Sequence, residues 1–426
     1  MTDTLNQQVL KRLKKRHRAN RRFQLYGMLA VLLSFVFLGA LICSIVSKGY
    51  TAFVKTEIQI PISFSTDILD PTGERKAETL ETANYQLLVR NSLKTLFPDV
   101  KARRDLFQLY GLLSKDSDFY LRKMVMQNPA LIGTEQEIWL TASADVDMFE
   151  KGKISRSLDE SRRKVKDKQI VWLDTFRKEG KIHSSFNSTF FTEGDSREPE
   201  QAGVLGSIVG SLFTVAVCMA LAFPLSVLTA VYLEEFAPKN KFTDFIEVNI
   251  NNLAAVPSII FGLLGLSVYL TVFGLPRSSS LVAGMTLALM VLPTIVITTR
   301  LSLRAVPPSI RDGARALGAS PLQVVMHHTL PLAMPGIMTG TILSIARVLG
   351  ETAPLLMIGM VAFIVDIPKG FTDPAVVMPV QIFLWADSPE LAFVEKTSAA
   401  IMILLLFLIA MNALAVYLRK KFERRW

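Results

Sequence analysis

The sequence predicts a mainly α, polytopic membrane protein: six transmembrane helices, with an α+β extracytoplasmic domain inserted between the first and the second. Three observations carry that reading. Six apolar runs, at 26–47, 203–233, 250–273, 280–299, 333–364 and 397–418, each hold about 20 largely uncharged residues, enough to cross a hydrocarbon core of ~30 Å. Residues 51–202, by contrast, carry 23 Lys and Arg against 24 Asp and Glu, the balance of a soluble domain. The formal charge of +10 in 426 residues gathers beside the apolar runs. The 50% hydrophobic content and mean hydropathy of +0.36 therefore describe a greasy bundle diluted by a polar insert, which excludes a soluble enzyme and a bare channel.

The N-terminal segment 1–25 is basic: Lys11, Arg12, Lys14, Lys15, Arg16, Arg18, Arg21 and Arg22 precede the first span. Arg419, Lys420, Lys421, Arg424 and Arg425 follow the last, in the tail 419–426. Positive charge flanks spans on the cytoplasmic side, so both termini are expected inside and residues 51–202 outside, in the periplasm. The parity of six spans agrees, since the inner loops 234–248 and 300–332 add two and four basic residues. A nucleic-acid-binding arm at 10–22 is set aside because topology already accounts for the charge. Run 26–47 is too long for a cleavable leader and has no small-x-small site before Lys48, so it reads as a retained anchor.

In the inserted domain, Ile58, Ile60, Ile62 and Phe64 alternate with polar residues over 57–69, the period of a half-buried strand. Helical patterns fit 84–96, 101–114 and 118–127, broken by Pro98 and Pro129. A further helix is expected over 157–179, with Ser157 and Glu160 as a capping box and Leu158, Val165, Trp172 and Phe176 on one face. No nucleophile elbow, paired-carboxylate motif or glycine-rich phosphate loop appears, and the domain reads as a docking or spacer unit, with ligand sensing as the other option. Cys43 and Cys218 both fall in spans, so no disulfide framework is expected, and the adjacent pair His327 and His328 reads as loop rather than metal site.

The inner loop 300–332 is patterned. Ile310, Ala314 and Leu317 recur at i, i+4 and i+7, a narrow apolar stripe on a helix that stops at Gly318. Ser320 is placed to cap a second helix whose first position is Pro321. Such a helix-turn-helix suits a groove of a partner or the lipid interface. Arg300 and Arg304, near the inner end of the fourth span, either line the exit or anchor the span, with anchoring the safer reading.

The fifth span carries two charges. Drawn as one helix, Gly336, Gly340, Ser344, Arg347, Glu351 and Pro354 fall within an arc of about 80°. A central charge costs about 2.5–3.5 kcal/mol on insertion scales, so such groups face the bundle interior or a water-filled path. Gly336 and Gly340 permit close helix approach, and Pro354 is expected to kink the helix one turn beyond Glu351. Two readings stand: a structural Arg347–Glu351 pair between helices, or a guanidinium presented to an anion, with Glu351 holding it or competing for it. Ser344 and Thr352 complete the candidate pathway.

Two motifs resemble known families. Asp312-Gly313-Ala314, three residues, Gly318, nine residues, then His328-x-Leu330-Pro331 is similar to the coupling motif of ABC importer permeases, Glu-Ala-Ala to Ile-x-Leu-Pro, with Asp312, Gly313 and His328 as departures. Gly313 costs the helix up to about 1 kcal/mol against alanine. Ala346 to Leu356, reading Ala-Arg-x-x-Gly-Glu-Thr-Ala-Pro-Leu-Leu, resembles the phosphate-specific permease A-subunit (PstA) family, as do 190–192, 206–212, 224–235 and the stretch NLAAVPSIIFG at 252–262. The resemblance covers about 186–426 and the first span, in a long form carrying an extra exported domain. It implies one half of a type I ABC importer for inorganic phosphate in the bacterial inner membrane, with domain 203–418 as the permease body. It further implies a homologous C-type permease, two copies of a P-loop ATPase and an extracytoplasmic phosphate-binding protein as partners. Asp312, Gly313, Ala314, Leu317, Gly318, Leu330 and Pro331 would couple to the ATPase, which would bind ATP and Mg. This chain has no G-x-x-x-x-G-K-[ST] of its own, so no cofactor and no catalysis are expected in it. Sulfate, molybdate or phosphonate as cargo, and a receptor sensing through 51–202, are the alternatives.

Overall fold

The computed structural model describes residues 2–422 apart from 72 and 74; Arg424 and Arg425 of the basic tail lie outside the described residues. Among the described residues, five helices are long and apolar enough to cross a membrane: Arg16–Phe53, Leu205–Phe236, Ser280–Arg304, Pro321–Gly350 and Leu391–Lys421. A sixth crossing is available only as a bent pair, Lys241–Ala254 with Ser258–Val272, turned by 100°.

That bend corrects the expected third span at 250–273. Pro257, extended at φ −56° and ψ 136°, starts the second piece, and its ring forces the preceding residue out of the helical region. Hydropathy runs through the break without registering it. The fifth span is displaced as well. It starts at Pro321, inside what the sequence suggests is loop, because the π turn Val325–Thr329 carries the helix on into Leu330–Gly350. It ends at Gly350, with Glu351 extended at ψ 127°. Pro354 would lack the N–H for the Gly350 carbonyl and clash with it, so the chain breaks before Glu351 instead of kinking after it. A short helix, Ala353–Met357, follows.

The fourth span is the buried centre of the bundle, its Val282, Leu287, Val291 and Ile295 forming one core with Cys218 and Ala222 of the second span and Val348 and Leu355 beyond. Glycine sets its distance to the fifth span, as the sequence suggests: a Cβ on Gly340 would collide with Thr298, and one on Gly336 with Ser302. Gly340→Val is therefore expected to lower stability by at least ~1 kcal/mol through overpacking, while Gly350→Ala, whose Cβ meets nothing within 4 Å, leaves packing unchanged. Thermal unfolding of the two purified variants in one detergent checks this; equal midpoints would contradict the close approach.

The inserted domain is a three-stranded antiparallel sheet, order β2-β1-β3, with β1 Val54–Ser63, β2 Glu135–Thr141 and β3 Ile182–Phe186. Ile58, Ile60 and Ile62 are fully buried against helices Tyr85–Leu96, Ser117–Gln127 and Asp167–Lys178. The strand ends before the expected 69, because 66–69 close into a helical turn. Pro61 is tolerated in the central strand because β3 pairs only with Val54–Ile58, leaving one edge of β1 open there. The expected helix at 157–179 begins only at Asp167. Gln169 Oε1 accepts from the Lys166 N–H at 2.9 Å, whereas the Ser157 N–H is taken by Ser155 Oγ at 3.2 Å. Trp172 and Phe176 are buried as expected, but Leu158 is exposed.

The domain is seated on the bundle. Ala52, Phe190, Ala202, Trp385, Phe393 and Ala399 form a small apolar core at the seam, and the first helix, which leads into the domain, packs tightly on the last, where a Cβ on Gly49 would lie 2.7 Å from the Ala399 nitrogen. Lys151 bridges Asp147 at 2.6 Å and Glu395, at the head of the last helix, at 2.9 Å. Trp385 Nε1 donates to Asp195 Oδ1 at 2.9 Å. Burial pushes the Asp195 carboxyl above the usual range despite the Trp385 hydrogen bond, and burial does the same to Glu200.

Candidate functional site

Arg347 and Glu351 meet at the C-terminal end of the fifth helix. Arg347 Nε donates to Glu351 Oε1 at 3.4 Å; the arginine side chain is 45% exposed and the carboxylate 19%. A 3.4 Å contact is a loose tether, and among the described residues no hydrogen bond engages the arginine's Nη atoms. Thr352 is half-buried, and its carbonyl accepts from the Leu355 and Leu356 N–H groups at 3.1 Å, opening the short helix. Pro354 packs on the third element, where a Cβ on Gly262 would lie 2.6 Å from the Pro354 carbonyl oxygen. Ser344 departs from expectation: it is buried, its hydroxyl donating to the Gly340 carbonyl at 3.0 Å. Of the four expected pathway residues, three therefore gather at the interruption and Ser344 turns into the helix packing.

The interruptions at 255–257 and 351–352 lie in adjoining elements. Irregular backbone at membrane depth persists only where protein covers it or where it lines a watery cavity. An exposed guanidinium with an open donor fork, beside unwound backbone, can hold an oxyanion in a bidentate manner; a carboxylate on its Nε can hold it between cycles.

The segment 308–323 folds as its residues suggest. Helix Pro308–Ala316 ends where Gly318 takes φ +87°, and the Ala319 N–H donates to the Ala314 carbonyl at 3.1 Å, closing a glycine C-cap. Ser320 Oγ accepts from the Gln323 N–H at 3.3 Å while Gln323 Oε1 accepts from Ser320 N–H at 2.9 Å, a reciprocal cap. Ala314 is buried, but Leu317 is 91% exposed: the helix stops one residue short of it, so it leaves the stripe and projects outward. Asp312 and Gly313 are exposed too. Leu330 packs with Ile310 against Leu303 and Ile337, and Pro331 sits in the first turn of Leu330–Gly350. Two residues missed from the sequence, Leu322 and Met326, are exposed large hydrophobics in the helical stretch that follows Leu317; their i, i+4 spacing after the Ser320 cap was the available signal.

Arg300 and Arg304 lie in ion pairs. Arg300 meets Glu247 at 2.5 Å and Glu234 at 3.4 Å; Arg304 meets Glu234 at 2.8 Å.

Interrupted spans around a half-exposed arginine, with a capped helix-turn-helix at one end, define a multi-pass transport permease. A family model described as a binding-protein-dependent transport system inner membrane component matches residues 222–425. A domain of unknown function (DUF3333) matches 10–160, stopping short of Asp167–Lys178 and β3, which belong to the same folded unit. The phosphate transport system permease protein PstA of Haemophilus influenzae is 32% identical over 222 residues, 52% of this chain and 77% of that protein. PstA 1 of Mycobacterium tuberculosis strain CDC 1551 / Oshkosh is 33% identical over 231 residues, 53% of this chain and 74% of that protein. PstC of Haemophilus influenzae is 33% identical over 183 residues, 37% of this chain and 58% of that protein. The chain belongs to the PstA family of inner-membrane permeases.

Proposed function

We propose that this chain is the A-type permease of an ATP-driven phosphate importer. The observation that carries the reading is the Arg347 guanidinium, loosely tethered to Glu351 and open to solvent where the fifth helix breaks, in a chain whose relatives are named phosphate transport permeases. A homologous C-type permease covers the face that exposes Arg347. The similarity to a PstC supports such pairing, since two permeases of one architecture can meet around a shared pathway. Two copies of a P-loop ATPase dock on Asp312, Gly313, Leu317 and Gly318, bind ATP and Mg, and carry out the hydrolysis; Ala314, Leu330 and Pro331 hold that surface on the bundle. A phosphate-binding protein delivers cargo from outside. The charge distribution supports cytoplasmic termini and a periplasmic inserted domain.

Alternating access follows: ATP stabilises one arrangement of the permease pair by its differential affinity for the two states. The test is ATP-dependent uptake of labelled phosphate by proteoliposomes containing the co-purified complex, with sulfate, molybdate and a phosphonate as competitors. Phosphate uptake unaffected by those anions is the expected result; uptake abolished by one of them at equal concentration would reassign the cargo, and no flux with intact ATP hydrolysis would discard the importer reading.

A further inference from the structure

The coupling helix is gripped by the bundle through one charged side chain, and Arg311 is not among the motif residues. Arg311 Nη2 donates to Glu235 Oε1 at 2.9 Å and to the Leu303 carbonyl at 2.7 Å, and Nη1 donates to the Val306 carbonyl at 3.4 Å. Glu235 lies in the π turn Tyr232–Phe236 that ends the second span; Leu303 is in the last turn of the fourth. One guanidinium thus joins three elements. The pair is enclosed, at 16% and 7% exposure, while Asp312 and Arg315, on the same helix, point to solvent. The neighbouring Glu234 turns the other way, to Arg300 and Arg304, so two successive glutamates of one turn fasten the second span to the fourth and to the coupling helix. Among the described residues, Arg311–Glu235 is the sole ion pair between that helix and the spans.

Resting on the importer reading, we propose that Arg311 and Glu235 are positioning residues: the strut that makes the second and fourth spans follow the coupling helix when the ATPase moves it. The apolar contacts of Ile310 and Ala314 are small and non-directional, and can slide. The three-way hydrogen bond fixes register and is charge-assisted. A buried pair whose Nε lacks a partner adds little net stability relative to an apolar replacement, so the expected signature of its loss is slippage rather than unfolding.

The experiment uses the full complex in proteoliposomes. Glu235→Gln is expected to keep assembly and ATP hydrolysis while phosphate carried per ATP falls about fivefold or more, the lower end of ordinary coupling between sites. Arg311→Lys, which keeps the charge but loses the planar fork, falls less, and the exchange Glu235→Arg with Arg311→Glu restores part of the ratio. An unchanged ratio in Glu235→Gln overturns the proposal, as does a fall seen only together with lost ATPase binding, which would make the pair a structural staple. A second readout does not depend on cargo. Spin labels at Ser309 and Tyr232, both exposed, in a chain with Cys43→Ser, should keep one separation through the ATP cycle in the otherwise unaltered protein and spread in Glu235→Gln. Should the complex carry no phosphate, this measurement still decides: equal spread in both proteins removes the strut, whereas failure of uptake alone removes only the importer reading.

Discussion

Arg347→Gln is expected to cut phosphate uptake by about ten- to a hundredfold, the equivalent of about 1.5–3 kcal/mol for a hydrogen bond to a charged group. Complex assembly should be unaffected. The asymmetry of the pair is what makes the result informative. Glu351 holds the guanidinium through one 3.4 Å contact on Nε, so the Nη atoms, the better donors to a tetrahedral oxyanion, are not consumed by it. Arg347→Lys keeps a charge but replaces a planar fork with a point and should recover little. Glu351→Gln removes the competitor: anion affinity is expected to hold or rise while turnover falls, because nothing draws the guanidinium back between cycles. A purely structural pair predicts otherwise, with the two single variants equally impaired in folding and the double variant no worse than either. Labelled-phosphate uptake and thermal unfolding on the same preparations separate the two; normal uptake by both Arg347→Gln and Glu351→Gln would end the pathway assignment.

The sequence and the structure part company where a decision is made by contacts far along the chain. Gly318, Ser320 and Pro321 were legible because capping is local: each acts on backbone groups within a few residues. The alternation Ile58, Ile60, Ile62 was legible because one buried sheet face imposes period two. The breaks at Pro257 and ahead of Glu351 were not, although the prolines were visible. Hydropathy is continuous across 250–273 and 333–364, and a proline in a span either kinks or ends the helix depending on what its neighbours supply; here Gly262 lies directly under Pro354. Ser157 and Glu160 show the converse failure, a correct cap pattern with no helix behind it, because Ser157 is spent on Ser155. Of the site, Arg347 and Glu351 stood out as charges in an apolar run. Glu235 and Arg311 did not, being 76 residues apart and each plausible as an exposed loop charge.

Removing Lys151 should unseat the inserted domain. Lys151 lies between Asp147 and Glu395, with the three side chains 11%, 14% and 5% exposed. Lys151→Met strands two enclosed carboxylates, and breaking a buried pair in this way costs about 3–5 kcal/mol. Asp147 keeps the Thr56 N–H at 2.8 Å, so the larger share of the penalty falls on Glu395, one of whose oxygens already has no partner. Amide exchange at 144–151 and 390–400 is expected to quicken by about a hundredfold or more, while Ile58–Ile62, which shares a core with Val146, Met148 and Ala392 but is laddered to β2, is affected less. The double variant Lys151→Met with Glu395→Met exchanges the pair for apolar volume and should restore most of the protection; if it exchanges as fast as the single variant, the stranded Glu395 charge is not what loosens the seam. Glu200 adds a pH dependence of known sign. Its carboxyl is raised by burial, so the docked state favours the protonated form: that contribution is complete below the ordinary carboxylate pKa and is lost as pH rises through the raised value. The seam should therefore loosen with rising pH across that interval, and Glu200→Gln should flatten the response. The head of the last helix is held to the domain through Glu395 and Lys151, so the two should loosen together and not separately.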